Sequence, residues 1–144
     1  MKVFLVFLAL FLVNITFLVY QGDMNRYVQI QAFLKAVAEE CAAGASLYYD
    51  EEEYGRGKMV IDKGEAMAYG DYIVSRAEGD PSLGGRGSLS WDMEIVDDNS
   101  EETGEGNSPS VTVRIHLNTP DLFRLPFLEV CQVSREAKYE LAQW

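Results

Sequence analysis

The sequence predicts an α+β protein. A long N-terminal α-helix, apolar and then amphipathic, carries a small antiparallel β-sheet domain packed on its C-terminal half. Three observations predict this. Val3 to Tyr20 contains no charged residue, the residues after it place apolar side chains at helical spacing, and two later stretches alternate apolar with polar residues. At 144 residues the chain has room for one domain with an appendage. The expected parts are an apolar transmembrane or filament-core helix half over 1–22, an amphipathic helix half over 23–50, and an extracytoplasmic α+β head over 51–144.

The first element is VFLVFLALFLVNITFLVY, residues 3–20. As a helix it is about 27 Å long at about 1.5 Å per residue, close to the ~30 Å hydrocarbon thickness of a bilayer. Lys2 precedes it and Asp23 is the first acid after it. The excess of positive charge before the run places the N-terminus in the cytoplasm and the rest outside. A cleavable secretory signal needs a shorter apolar region and small residues at its end. Val19, Tyr20, Gln21 and Gly22 supply no A-x-A pattern, so retention is expected. Asn14 is the polar residue near mid-depth. It can hydrogen-bond to a neighbouring helix or stand as a tolerated lone amide. The sequon Asn14-Ile15-Thr16 is inaccessible inside such a span.

The second element continues the first. Tyr27, Ile30, Leu34, Val37, Cys41, Ala45 and Tyr48 recur three or four apart, one face of an α-helix. Gly22 alone does not end a helix, so the pattern predicts one helix over 3–49, about 70 Å long, with a bend allowed near Gln21–Gly22. Phe33, Leu34, Val37 and Cys41 are expected to hold the head to this stalk. Ala36, Ala38, Ala42, Ala43, Gly44, Ala45 and Ser46 are small enough to let another backbone approach closely.

The head follows. Asp50–Glu53 reads as a solvated turn, Lys58–Asp62 as a short strand, Lys63–Ala77 as a helix and Gly79–Ser88 as a loop. Leu89, Trp91, Met93 and Ile95 alternate with polar residues, as do Val111, Val113, Ile115 and Leu117. Together they predict a hairpin with one buried and one wet face. Phe123, Leu125 and Phe127 are expected beneath the sheet. Cys131, Val133, Ala137, Tyr139 and Leu141 suggest a third strand, with Arg135 interrupting its apolar face.

Composition and charge narrow the function. The chain carries 12 Lys+Arg against 23 Asp+Glu, a net charge of −11. Lys2, Arg26 and Lys35 balance Asp23, Glu39 and Glu40, so the whole −11 belongs to residues 47–144. Such a head repels phosphate backbones, which argues against nucleic acid as a partner. No phosphate-loop, dinucleotide, zinc-protease or nucleophile-elbow motif occurs. The single histidine, His116, sits on the polar face of a strand and reads as a surface residue. An enzyme is therefore not expected, nor is a cofactor. Asp97, Asn99 and Glu101 offer oxygen ligands to Ca²⁺, but Glu102 stands where an EF-hand loop needs Gly, and a solvated hairpin tip is the stronger reading. Cys41 and Cys131 both fall on expected buried faces. They could pair outside the cytoplasm, contributing about 4 kcal/mol by the chain-entropy argument, or remain two separate thiols.

The organisation resembles a type IV pilin, and more specifically the TadE-like pseudopilins of tight-adherence pili. The suggestive stretch is Gln29–Asp50 with AFLKAVAEECAAGASLYYD, where an A-E-x-[AC]-x-x-G-A core leads into a loop, a strand and a helix. Type IV pilins carry Glu at the fifth position of the mature chain. Here Leu5 stands at that position, and the short basic leader is reduced to Lys2. Apolar helix packing is then the contact left to drive assembly. The resemblance implies a non-enzymatic structural subunit of a pilus-like filament at the cell surface, packed through Val3, Leu5, Leu8, Leu12, Asn14 and Phe17. It implies copies of itself, the cytoplasmic membrane before assembly, and the pilus assembly machinery as partners. The alternative is a signal-anchored single-pass protein acting as a partner or adaptor in a membrane or secretion complex.

Overall fold

A computed structural model describes residues 1–85, 87–99, 108–120 and 122–141. The fold is α+β: a long N-terminal helix and a three-stranded antiparallel sheet packed against its second half. Helix α1 runs unbroken over Lys2–Ala45 and is 44 residues long, about 66 Å.

The helix stops four residues short of the expected end. Its last turn tightens, with Leu47 N–H donating to Gly44 O and Tyr48 N–H to Ala45 O, while Ser46 Oγ donates to Ala43 O at 2.6 Å. The chain then leaves to pair with residues 60–62: Asp50 N–H donates to Val60 O and Asp62 N–H to Tyr48 O, both at 2.8 Å. The short strand expected over Lys58–Asp62 is reduced to this single antiparallel bridge, Tyr49 with Ile61.

The acidic run is helical rather than a plain turn. In α2, Glu51–Gly55, Asp50 Oδ1 accepts from Glu52 N at 2.9 Å and Glu53 N at 3.1 Å. Glu51, Glu52 and Glu53 fill the first turn, where the helix dipole favours negative charge. Asp62 caps α3, Lys63–Glu78, in the same way through Gly64 N and Glu65 N. Helix α3 buries Ala66, Gly70, Ile73, Val74 and Ala77. The expected loop after it contains one 3₁₀ turn, Pro81–Leu83.

Strands β1 (Ser88–Val96), β2 (Ser110–Asn118) and β3 (Gln132–Glu140) lie in that order, all antiparallel. Leu89 faces Leu117, Trp91 faces Ile115, Met93 faces Val113 and Ile95 faces Val111. The four β2 residues of this set are at most 1% exposed, because β2 is central and lies under α1. Helix α3 covers β1 and packs on α1.

The small residues near the end of α1 serve this internal packing. A Cβ on Gly44 would stand 2.1 Å from Tyr69 Cε1, and one on Gly70 would stand 2.3 Å from Trp91 Cη2. Real contacts are never that close, so glycine at both places admits a ring. The approach expected from another backbone is made by α3 of the same chain.

Three further expectations are corrected. Phe123 is buried at 5%, but against α1 rather than beneath the sheet, and Phe127 is 70% exposed. Cys131 is exposed, and both cysteines are free thiols. Cys131 precedes the first ladder residue, Gln132, so strand alternation does not govern it. His116 is half-buried rather than on the surface, beside Asp92 with Nε2 to Oδ1 at 3.6 Å.

Candidate helix-packing surface

One helix carries two environments. From Met1 to Leu18 every residue is exposed. The expected packing residues Val3, Leu5, Leu8, Leu12 and Phe17 are 39–84% exposed, and Asn14 is exposed as well. The best window of this helix has mean hydropathy 2.7 and none of it is buried by the rest of the chain, so α1 is long and apolar enough to cross a membrane. Isolated large apolar residues on a surface are ordinary, but a continuous cylinder of them is not. Phe7 and Phe11 stack along it at 6.3 Å. Thr16 satisfies its hydroxyl on Leu12 O at 2.9 Å. Asn14 makes no side-chain hydrogen bond among the described residues, so its amide remains for a neighbour.

From Ile30 the same helix is built into the head. Leu34 and Cys41 are 0% exposed and Val37 is 6% exposed, with Phe33 half-buried against the same core. The alanines Ala38, Ala42 and Ala45 are equally buried. Burial, and then the nearby Glu40 charge, push the Cys41 thiol up to about 11, so it is a packing group and not a nucleophile at neutral pH.

The boundary between the environments is marked by residues that sequence reasoning missed. Asp23 is 3% exposed. Its Oδ2 accepts from the backbone N–H of Arg124 at 2.9 Å, and its Oδ1 accepts from Nε and Nη2 of Arg124, also at 2.9 Å. Burial opposes ionisation of Asp23. The Arg124 backbone and guanidinium, with help from Arg26, outweigh it and hold the carboxyl below the usual carboxylate range. Phe123 packs its ring between Tyr20 and Tyr27, with centroids 6.4 and 6.0 Å away. An acid immediately after an apolar span was the available signal, but its partner stands 101 residues away.

The remaining polar clusters have structural partners. Arg114, on the outer face of the sheet, binds Glu136 at 2.6 Å, Glu94 at 3.1 Å and Asp92 at 3.3 Å. These are exposed pairs whose geometry ties the three strands together, each a modest contribution in water. A groove of about 400 Å³ beside them is lined by Lys35, Arg114, His116, Ser134, Arg135 and Glu136. Arg135 lies opposite Ile115 on the inner face and escapes burial by donating from Nη2 to Gln31 Oε1 of α1. Ser90 and Ser134 flank His116 in the ladder, yet neither hydroxyl bonds to it. No nucleophile is thereby activated among the described residues.

The loop considered for Ca²⁺ is committed elsewhere. Asp97 accepts from Ile61 N at 3.4 Å and Asn99 N at 3.2 Å, and Asp98 Oδ2 accepts from Met59 N at 2.7 Å. These carboxylates hold the segment before α3 to the end of β1. Glu101 lies outside the described residues. Among the described residues, no three His, Cys, Asp or Glu side chains are grouped to hold a metal. Comparison with protein families, curated proteins and solved structures yields no match.

Proposed function

We propose that this chain is a non-enzymatic structural subunit of a pilus-like extracellular filament, held in the cytoplasmic membrane by α1 before assembly. One observation carries the reading. From Val3 to Leu18, α1 is an apolar cylinder about 24 Å long with every residue exposed, while the second half is built into the head. Such a surface is stable only in lipid or against other apolar helices. The two surroundings correspond to the subunit before and after assembly. The head packs on α1 from Tyr20 onward and leaves Val3–Leu18 uncovered, so that stretch can exchange lipid for other stalks without the head unfolding. Copies of the same chain are the main partner, with the membrane and an assembly machinery as earlier ones.

Electron microscopy of the full chain, purified from membranes or viewed on expressing cells, tests the proposal. Helical filaments with α1 in their core are expected. A small, detergent-bound particle at every concentration overturns the filament and leaves a single-pass membrane adaptor.

A further inference from the structure

The head has an end that faces the membrane, and that end carries a loop of unusual composition. Leu122-Phe123-Arg124-Leu125-Pro126-Phe127-Leu128 contains six apolar residues and one arginine. It belongs to an excursion from the sheet closed at its base by Thr119 N–H donating to Cys131 O at 2.9 Å. Residues near 125 are therefore farthest from the sheet along the chain. The tip turns at Pro126, with Leu128 N–H donating to Leu125 O at 3.0 Å. Phe127 at this turn is 70% exposed, as is 73% of the Arg124 side chain.

The position of the loop along α1 gives this exposure a meaning. The apolar run ends at Tyr20, which touches Phe123. If residues 3–20 fill the hydrocarbon, Tyr20 stands at its outer boundary. Asp23 is three residues on, about 4.5 Å further along the helix axis. The headgroup layer extends about 5–8 Å beyond the hydrocarbon on each side. Arg124, bonded to Asp23, thus falls within that layer. Its Nε and Nη2 are held by Asp23, which leaves the Nη1 edge to meet a lipid phosphate. Aromatic rings favour this same depth.

We propose that the 122–128 loop is a second membrane contact, in which Phe127 dips into the phospholipid headgroup layer and Arg124 meets lipid phosphate. The contact rests on the membrane reading of α1. It fixes the tilt of the head above the bilayer, where a single helix would leave the head free to rotate and lean. The occupant is the bilayer that α1 enters, since the loop is continuous with the end of that span.

Site-directed spin labelling of the full chain in phosphatidylcholine vesicles tests this. Single cysteines replace Leu12, Tyr54 or Phe127 in a Cys131→Ser background that takes up no label itself. The ratio of collision rates with oxygen and with a water-soluble nickel chelate reports depth. The Leu12→Cys label is expected in hydrocarbon and the Tyr54→Cys label, at the far end of the head, in water. The Phe127→Cys label is expected between them, with a ratio severalfold above that at position 54. A Phe127→Cys label as aqueous as that at position 54, with the Leu12→Cys label in lipid, overturns the loop contact and leaves the span intact. A Leu12→Cys label in water overturns both. A Phe127→Cys label shielded from both reagents, with spin–spin broadening that grows with protein-to-lipid ratio, places a second copy there and overturns the lipid contact.

Discussion

Residues 3–20 and 30–45 of α1 share one backbone geometry and differ in what covers them. The first stretch is apolar all round and, as far as Leu18, covered by nothing in its own chain. The second is apolar on one stripe, with small residues and the polar Gln31, Lys35, Glu39 and Glu40 around the rest, and it forms one wall of the head's core. A stripe can be satisfied by one sheet, whereas a full cylinder needs surroundings on every side. The difference teaches that the stability of the head and, in the proposed filament, assembly reside in separable parts of one helix. Substitutions should therefore affect one without the other.

The largest expected effect is on the buried stretch. Leu34 is 0% exposed beneath the sheet. Leu34→Ala removes its packing and should destabilise the head by about 2–5 kcal/mol, read as a lower midpoint in urea unfolding followed by Trp91 fluorescence. Membrane insertion of the folded fraction should be unchanged. A Leu34→Ala head as stable as the parent would show that the head does not depend on the stalk, and would break the comparison at its stronger end.

The complementary change is Leu8→Asp in the uncovered stretch. A carboxylate near mid-span costs about 3 kcal/mol on insertion scales. Insertion and filament formation should be lost, measured by flotation with vesicles and by microscopy. The head should unfold at the parent's urea midpoint, because no described residue of the head packs on Leu8. Normal filaments from this variant would remove the first stretch from assembly.

Asp23 marks the line between the two stretches. Asp23→Ala leaves the Arg124 backbone N–H without its acceptor and should cost about 1–3 kcal/mol of head stability. Its pH dependence has a definite sign. The folded carboxyl titrates below its unfolded value of about 3.9, so its contribution is complete above that pH and is lost as pH falls through the lower, folded value. The stability difference between parent and Asp23→Ala should be constant at neutral pH and shrink below about pH 4. A difference that vanishes already near neutrality would mean that the carboxylate is not held by Arg124.

How much of this was legible in the sequence depends on the range of the interactions. The helix, the three strands and the face of α1 that carries Leu34, Val37 and Cys41 follow from local periodicity, which short segments display by themselves. The Asp23–Arg124 pair spans 101 residues and leaves no periodic trace. Phe127 was expected beneath the sheet because it is apolar, but it stands at the turn after Pro126, where no periodicity says which way a side chain points. Cys131 was misplaced because alternation was extended to it, one residue before the ladder begins. The end of α1 was overrun because Tyr48 fits the helical stripe but is drawn away by the bridge between Tyr49 and Ile61. Each error lies where a local period ends, in a turn, at the edge of a ladder or at a bridge to another segment.

The smallest expected effect concerns charge, and it sharpens the same comparison. The first 46 residues are neutral, and the −11 lies in the rest of the chain. The fold also orders this charge along the molecule. Asp50, Glu51, Glu52, Glu53, Asp97 and Asp98 meet where α2 and the end of β1 adjoin the bridge at Tyr49, away from the Asp23 boundary. Arg114 and Arg124 do not lie at this end: Arg114 is tied to Asp92, Glu94 and Glu136 on the sheet, and Arg124 stands at the Asp23 boundary. In the proposed filament the stalks attract and the outer ends of the heads repel. Screening acts only on the second term. The Debye length is about 10 Å at 0.1 M salt and about 30 Å at 0.01 M, so repulsion between neighbouring heads should reach further as salt is removed. Filament mass in a sedimentation assay should fall between these two salt concentrations. Replacing Glu51, Glu52 and Glu53 together with Gln should flatten that dependence, leaving the concentration needed for assembly at 0.1 M salt nearly unchanged. Equal salt sensitivity in parent and variant would show that the acidic outer end does not oppose assembly, and that stalk packing alone sets its limit.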